Sequence, residues 1–174
     1  MESHVTYAPA EIGTSRVGEP MPAGYRHLSY ETFIGYGAAT MRTSANAVLS
    51  LEMHRTVGLR ADLEGDIVRL RIGPIHAPCR ILFRESAPER AGFTYGTLPG
   101  HPARGEETFL VTHGPDDRVW LQVRSFSVAG RWYTRLAGPA MPMLQRRFAR
   151  ACGRALRRLA SASALSSRDA DHRS

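Results

Sequence analysis

From Arg118 to Ala129 the chain alternates strictly: Val119, Leu121, Val123 and Ser125 fall on one side, and Trp120, Gln122, Arg124 and Phe126 on the other. Period-two alternation of this kind predicts a strand with one face on a core and a mixed face elsewhere. Four further runs share the strand character: "DIVRLRIG" (66–73), "CRILFRES" (79–86), "GFTYGTL" (92–98) and "ETFLVTH" (107–113). Their connections are short and rich in turn formers, as in "HGPDDR", which favours antiparallel hairpins over parallel crossovers. Upstream, "YRHLSYETFIGYG" is β-prone and aromatic. Residues 40–57 can form a helix with Met41, Ala45, Val48, Leu49 and Met53 on one side. From about Pro139 the period changes, and Met141, Leu144, Phe148, Ala151, Cys152, Ala155 and Leu159 form one helical stripe.

The order strand, helical segment, antiparallel meander and long C-terminal helix predicts an α+β fold in which a curved antiparallel sheet grips the last helix. Residues 1–24 and 161–174 lack periodicity and read as a flexible arm and a disordered tail, leaving one domain over 25–160. A chain of 174 residues that is 43% hydrophobic can bury a real core. No apolar run of about 18 residues occurs, and "MESHVTYAPAEIG" is not built like a secretory signal, so a cytoplasmic protein with no membrane span is expected.

Charge and cysteine usage narrow the chemistry. All 23 basic side chains are arginine, which excludes Schiff-base lysines and a P-loop lysine. Eleven arginines and no Asp or Glu lie between Arg118 and Arg168, so the C-terminal third is a basic block that could meet phosphate, anionic lipid or an acidic ligand. Cys79 and Cys152 belong to no metal-ligating cluster and read as buried thiols. His54, His76 and His113 show no HxxxH or HExxH spacing, so neither a metal nor a cofactor is expected.

The most distinctive stretch is "GFTYGTLPGHPARGEETF" (92–109), with four glycines and two prolines between strand runs. Glycine permits positive φ and proline fixes φ, so this is a rigid, shaped loop. His101 within it titrates near neutrality and is a candidate proton carrier, or a loop cap. Glu106 and Glu107 are consecutive on a strand and must face opposite sides. The one facing inward would be a general acid or base with a raised pKa, or a structural partner of Arg80 or Arg124. Tyr95 and Arg80 are candidates for orienting a ligand or stabilising negative charge, and Trp120, Phe126, Trp132 and Met141 for lining a cavity.

The segment "CRILFRESAPERAGFTYGTLPGHPARGEETFLV" resembles the signature of the uncharacterised bacterial and plant family catalogued as domain of unknown function nineteen-ninety. That family carries a "GFaYGTLPGHPexGEExF" block between a "CR" strand and a "VWxxIxAFSRPA" strand, then a helix near "GPxxRxxQ". Here "CRILF", "VWLQVRSFS" and "GPAMPMLQRRF" stand in the same order. The family's tryptophan near "LxxWxMH" gives way to "LSLEMH" with Glu52, and its "SRPA" becomes "SVAG" at Ser127–Gly130.

The resemblance implies a START-like helix-grip fold, similar to birch-pollen allergens and aromatic polyketide cyclases, with a cavity for an apolar small molecule. On that basis the leading expectation is a cofactor-independent cyclase, lyase or isomerase of specialised metabolism, with a non-catalytic binding or carrier protein as the alternative. Nucleic-acid binding through the arginine-rich helix is the weakest of the three, because no aromatic residues are interleaved with the basic stripe.

Overall fold

The computed structural model describes residues 4–130 and 140–171. Its elements are β1 (Arg26–Tyr36), α1 (Gly37–Leu49), α2 (Glu52–Thr56), β2 (Arg60–Glu64), β3 (Ile67–Ile72), β4 (Ile75–Ala87), β5 (Arg90–Thr97), β6 (Ala103–His113), β7 (Arg118–Ala129) and α3 (Ala140–Asp171). The seven strands form one antiparallel sheet in the order β1-β7-β6-β5-β4-β3-β2, with α1 and α3 packed on one face. This is the helix-grip arrangement that the sequence predicts.

The residue pattern explains the layering. On β7 the predicted alternation holds, and Val119, Leu121 and Val123 are fully buried beneath the helices. Cross-strand pairing extends this inner face to Phe93, Phe109, Ala91 and Val111. On α3, Ala149, Cys152, Ala155 and Leu156 meet it, each nearly or fully buried. Gly153 lets α3 approach β1, since a Cβ there would lie 2.6 Å from Thr32 Cγ2. Full burial of each large apolar side chain contributes roughly 1.5–3 kcal/mol, so this inner face is the main source of stability.

Three differences from the sequence reading have physical causes. The single helix expected over 40–57 is two, because Leu51 takes a left-handed conformation (φ 64°) and breaks the hydrogen-bond ladder. The edge strand β2, "RADLE", was not expected: its alternation spans only Ala61 and Leu63 among three charged residues, and only Ala61 is buried. The C-terminal stretch expected as a disordered tail continues α3 to Asp171, as its alanine, leucine and arginine content favours.

The N-terminal segment, expected to be flexible, takes a defined course across the outer face of the sheet. Tyr7 and Ser15 are buried there. Tyr7 and Tyr25 both pack edge-on against Phe126, at centroid distances of 5.4 and 4.9 Å. The Arg124 guanidinium donates to the carbonyls of Arg16 and Glu19, while Arg16 lies over the Phe83 ring at 4.8 Å. An arm held through backbone groups carries no hydrophobic periodicity, so composition alone suggests looseness.

Candidate functional site

The glycine-rich signature forms the β5–β6 hairpin, and its glycines have separate tasks. Gly92 lies so close to β6 that a Cβ would fall 2.0 Å from the Phe109 carbonyl oxygen. Gly96 makes room for the arm, where a Cβ would sit 2.5 Å from the Tyr7 hydroxyl. Gly100 turns the loop at φ 99°. The loop is therefore a device for bringing backbone segments close.

Its two glutamates do face opposite ways. Glu106 points to the outer face beneath the arm and is 2% exposed. Four donors converge on its two oxygens: the Tyr7 hydroxyl at 2.7 Å, the Gly13 amide at 2.9 Å, the Ser15 amide at 3.0 Å and the Ser15 hydroxyl at 2.7 Å. That satisfies the accepting capacity of a carboxylate without any arginine. Burial first, and then Glu106, hold the Tyr7 phenol well above its ordinary pKa, keeping it a donor. Ser15 extends the network to Thr108, which meets Thr94. Glu106 thus clasps the arm and does not face a ligand space.

Glu107 points inward. The row that pairs across the sheet here is Ile81, Tyr95, Glu107, Ser125 and Leu28. The Tyr95 hydroxyl donates to Glu107 Oε2 at 2.8 Å. Burial raises the Glu107 carboxyl to about 7, against which the Tyr95 hydrogen bond works. Glu107 nevertheless keeps some solvent exposure, while Phe109 two residues on has none. Solvent therefore reaches the inner face at the Glu107 row. Cys79 and Cys152, both buried and free, feel the Glu107 charge, and burial pushes both thiols up.

Beside the pair lies an aromatic box around His54. Its ring centroid is 5.9 Å from Phe93, 6.3 Å from Tyr95, 4.9 Å from Phe109 and 6.0 Å from Phe148. His54 is wholly buried, and neither ring nitrogen has a hydrogen-bond partner. Burial lowers its pKa to about 4, so it is neutral at physiological pH. Sequence reasoning weighed His54 only as a metal ligand and passed over it. The box draws on α2, β5, β6 and α3, and no local motif connects those four positions.

Several predicted site residues lie elsewhere. His101 is committed to its own loop: Nδ1 accepts from the Ala103 amide at 2.9 Å, the cap reading of this residue. Burial depresses its pKa to about 4, so the ring is neutral at physiological pH. Arg80 pairs with Phe126's side of the sheet and holds Asp66 at 3.1 Å, away from Glu107. Trp120 and Phe126 sit on the outer face, packed against Phe33 and the arm's tyrosines. Their strand parity opposes that of Val119, Leu121 and Val123, so they cannot line a space beneath α3. Trp132 lies outside the described residues, as does the side chain of Met141. The cluster that does form is Tyr95, Glu107, His54 and the surrounding phenylalanines.

A curved antiparallel sheet gripping a long helix is a helix-grip fold, and here a Glu–Tyr pair and a buried histidine are set in its largely apolar inner face. The chain belongs to the family described as "Domain of unknown function (DUF1990)", whose model matches residues 8–155. A UPF0548 protein of Deinococcus radiodurans is 44% identical over 81 residues, covering 47% of this chain and 41% of that protein. A UPF0548 protein of Arabidopsis thaliana is 35% identical over 63 residues, covering 36% of this chain and 31% of its own. The chain thus matches less than half the length of these relatives.

Solved structures share the fold at low identity. A hypothetical protein of Helicobacter pylori has a TM-score of 0.58 at 8% identity, covering 90% of this chain and 95% of its own. A norcoclaurine synthase point mutant from Thalictrum, in complex with a transition-state analogue, has 0.52 at 11%, covering 78% and 94%. Ara h 8.0201 has 0.52 at 10%, covering 80% and 99%.

Proposed function

We propose that this protein is a cofactor-independent enzyme that binds a hydrophobic small molecule between the sheet and α3 and moves a proton on it, in a cyclisation, dehydration or isomerisation. The observation that carries this reading is the Glu107–Tyr95 pair, hydrogen-bonded at 2.8 Å on an otherwise apolar inner face. A carboxyl poised near neutral pH can both take and return a proton in one cycle, the property a general acid–base group needs. Tyr95 orients the carboxyl and offers a phenol to developing negative charge. The phenylalanines packed with His54 behind the pair keep its surroundings apolar, which suits an aromatic or unsaturated ligand. That a norcoclaurine synthase shares the fold is compatible with chemistry on this scaffold.

A simpler reading, a ligand-binding protein without chemistry, is favoured by the dispersal of the other candidates: His101 and Arg80 do not join Glu107. The two separate by experiment. Apolar molecules that co-purify with the intact chain are identified by mass spectrometry and returned to wild type and to Glu107→Gln. The enzyme reading expects a new product from wild type and a loss of about 10²–10⁴-fold in the variant. Recovery of the same ligand unchanged from wild type overturns it in favour of the carrier.

A further inference from the structure

The helix layer is charged in a way that the site does not use. Placed at about 100° per residue, α3 buries the side that holds Phe148, Ala149, Cys152, Ala155, Leu156 and Leu159. The opposite side carries Arg146, Arg147, Arg150, Arg154 and Arg158, all exposed and all within an arc of about 120°. Arg146, Arg150, Arg154 and Arg158 follow the i, i+4 spacing, forming a ridge about 18 Å long. Among the described residues none of the five makes an ion pair or a side-chain hydrogen bond. By contrast Arg157, at the edge of this face, donates to Thr32 and the Phe33 carbonyl.

The imbalance extends to α1, while Glu52 on α2 is the acidic side chain of the helix layer before Asp169. Neither α1 nor residues 140–168 contain an Asp or Glu, while α1 adds Arg42. Like charges at i, i+4 repel by about 0.2–0.5 kcal/mol a pair, a cost that an anionic partner would relieve. Two exposed apolar side chains fall inside the same arc: Met143, 67% exposed, and Leu165, 63% exposed. Leu144, at 60%, lies on its margin.

We propose that the solvent face of α3 is a docking surface for an anionic membrane, lying flat on the headgroups with its arginines on lipid phosphate and carboxylate groups and Met143, Leu144 and Leu165 reaching toward the acyl boundary. Because the apolar side of α3 is buried on the sheet, attachment would come chiefly from charge, about 1 kcal/mol for each arginine near an anionic surface, with the exposed Met and Leu adding a shallow apolar contact. Among the described residues no helix is long and apolar enough to cross a membrane. Nucleic acid fits less well, because the arc has no aromatic side chain for base stacking and a phosphodiester backbone offers nothing to exposed Met and Leu. A second copy of the same face is opposed by charge repulsion.

The test is co-sedimentation of the intact chain with phosphatidylcholine vesicles, with and without phosphatidylserine, at low and high salt, alongside a gel-shift titration with duplex DNA. Binding is expected only to the phosphatidylserine vesicles, lost at high salt, and weakened about fivefold for each arginine removed in Arg146→Gln, Arg150→Gln, Arg154→Gln and Arg158→Gln. Met143→Ser with Leu165→Ser is expected to weaken it several-fold while leaving the salt dependence intact. Circular dichroism confirms that each variant folds. Failure to bind anionic vesicles, equal binding to neutral ones, or binding to DNA alone overturns the proposal. The readout involves neither ligand nor turnover, so it stands apart from the fate of the Glu107 reading.

Discussion

Glu106 and Glu107 are consecutive residues on one strand, and the faces they serve have opposite economies of polar groups. On the outer face four donors close on Glu106, adding to the packing of the arm's Tyr7 and Tyr25 on Phe126. On the inner face packing supplies the stability, and two of its titratable groups are underserved: Glu107 accepts one side-chain hydrogen bond and His54 none. A fully satisfied buried carboxylate is an anchor, because moving it exposes every donor it serves. A carboxyl with a single partner and solvent contact is free to exchange its proton. Identical side chains one residue apart are thus divided into structure and chemistry by what surrounds them.

The largest effect should come from removing the anchor. Glu106→Ala leaves two backbone amides and the Tyr7 hydroxyl unpaired beneath the arm, with the Ser15 hydroxyl keeping only Thr108, and about 3–5 kcal/mol of stability should go with it. Chemical denaturation measures the loss, and hydrogen exchange at the Gly13 and Ser15 amides reports release of the arm. A loss below about 1 kcal/mol with those amides still protected would show that the arm is held by its other contacts.

The inner face is sharpened by pH. Glu107 has its folded pKa raised from an ordinary 4.5 to about 7, so its contribution is fully present below 4.5 and lost as pH rises through about 7. His54 is depressed from 6.5 to about 4, so its contribution is present above 6.5 and lost as pH falls through about 4. Between about 4.5 and 6.5 the two slopes oppose, since folding gives Glu107 a proton and takes one from His54. His101, depressed to about 4 in the same way, adds a second slope with the sign of His54, so wild type should gain roughly 2 kcal/mol of stability with rising pH across that window. Glu107→Gln should steepen that rise and His54→Phe should flatten it, each by roughly 2 kcal/mol across the window. Thermal unfolding at several pH values measures both, and parallel profiles in the two variants would refute the assignment.

The same contrast explains what could be read from the sequence. The β7 strand was legible to its ends because buried Val119, Leu121 and Val123 alternate with wet positions. Strand parity also required one of the glutamates to face inward, but adjacency alone does not say which. That is fixed by register, Tyr95 against Glu107 and Gly96 against Glu106, and by the arm. The docking of the arm was hidden because Gly13 and Ser15 bind through backbone amides, which leave no side-chain pattern. Trp120 and Phe126 are cavity-lining candidates only by analogy with the helix-grip fold, whereas the alternation that places Val119 and Val123 inward already puts them outside. His54 was hidden for a third reason, since its cage is assembled from four elements and its isolation from hydrogen bonds is a property only of the packed state.

The smallest effect tests whether the polar pair on the inner face is one unit. Tyr95→Phe removes one hydrogen bond from an otherwise apolar setting, and about 1 kcal/mol of stability at neutral pH should follow. More telling is the direction in which Glu107 moves. Tyr95 supplies the influence that lowers the Glu107 pKa against burial, so without the phenol the carboxyl should titrate above about 7. Carboxyl-carbon NMR of Glu107 follows this directly. If Glu107 is the acid–base group, the pH profile of turnover should move up by the same amount in Tyr95→Phe and vanish in Glu107→Gln. A Glu107 titration unmoved by loss of the hydroxyl would separate the two residues, leaving Tyr95 as one more ring of the box around His54.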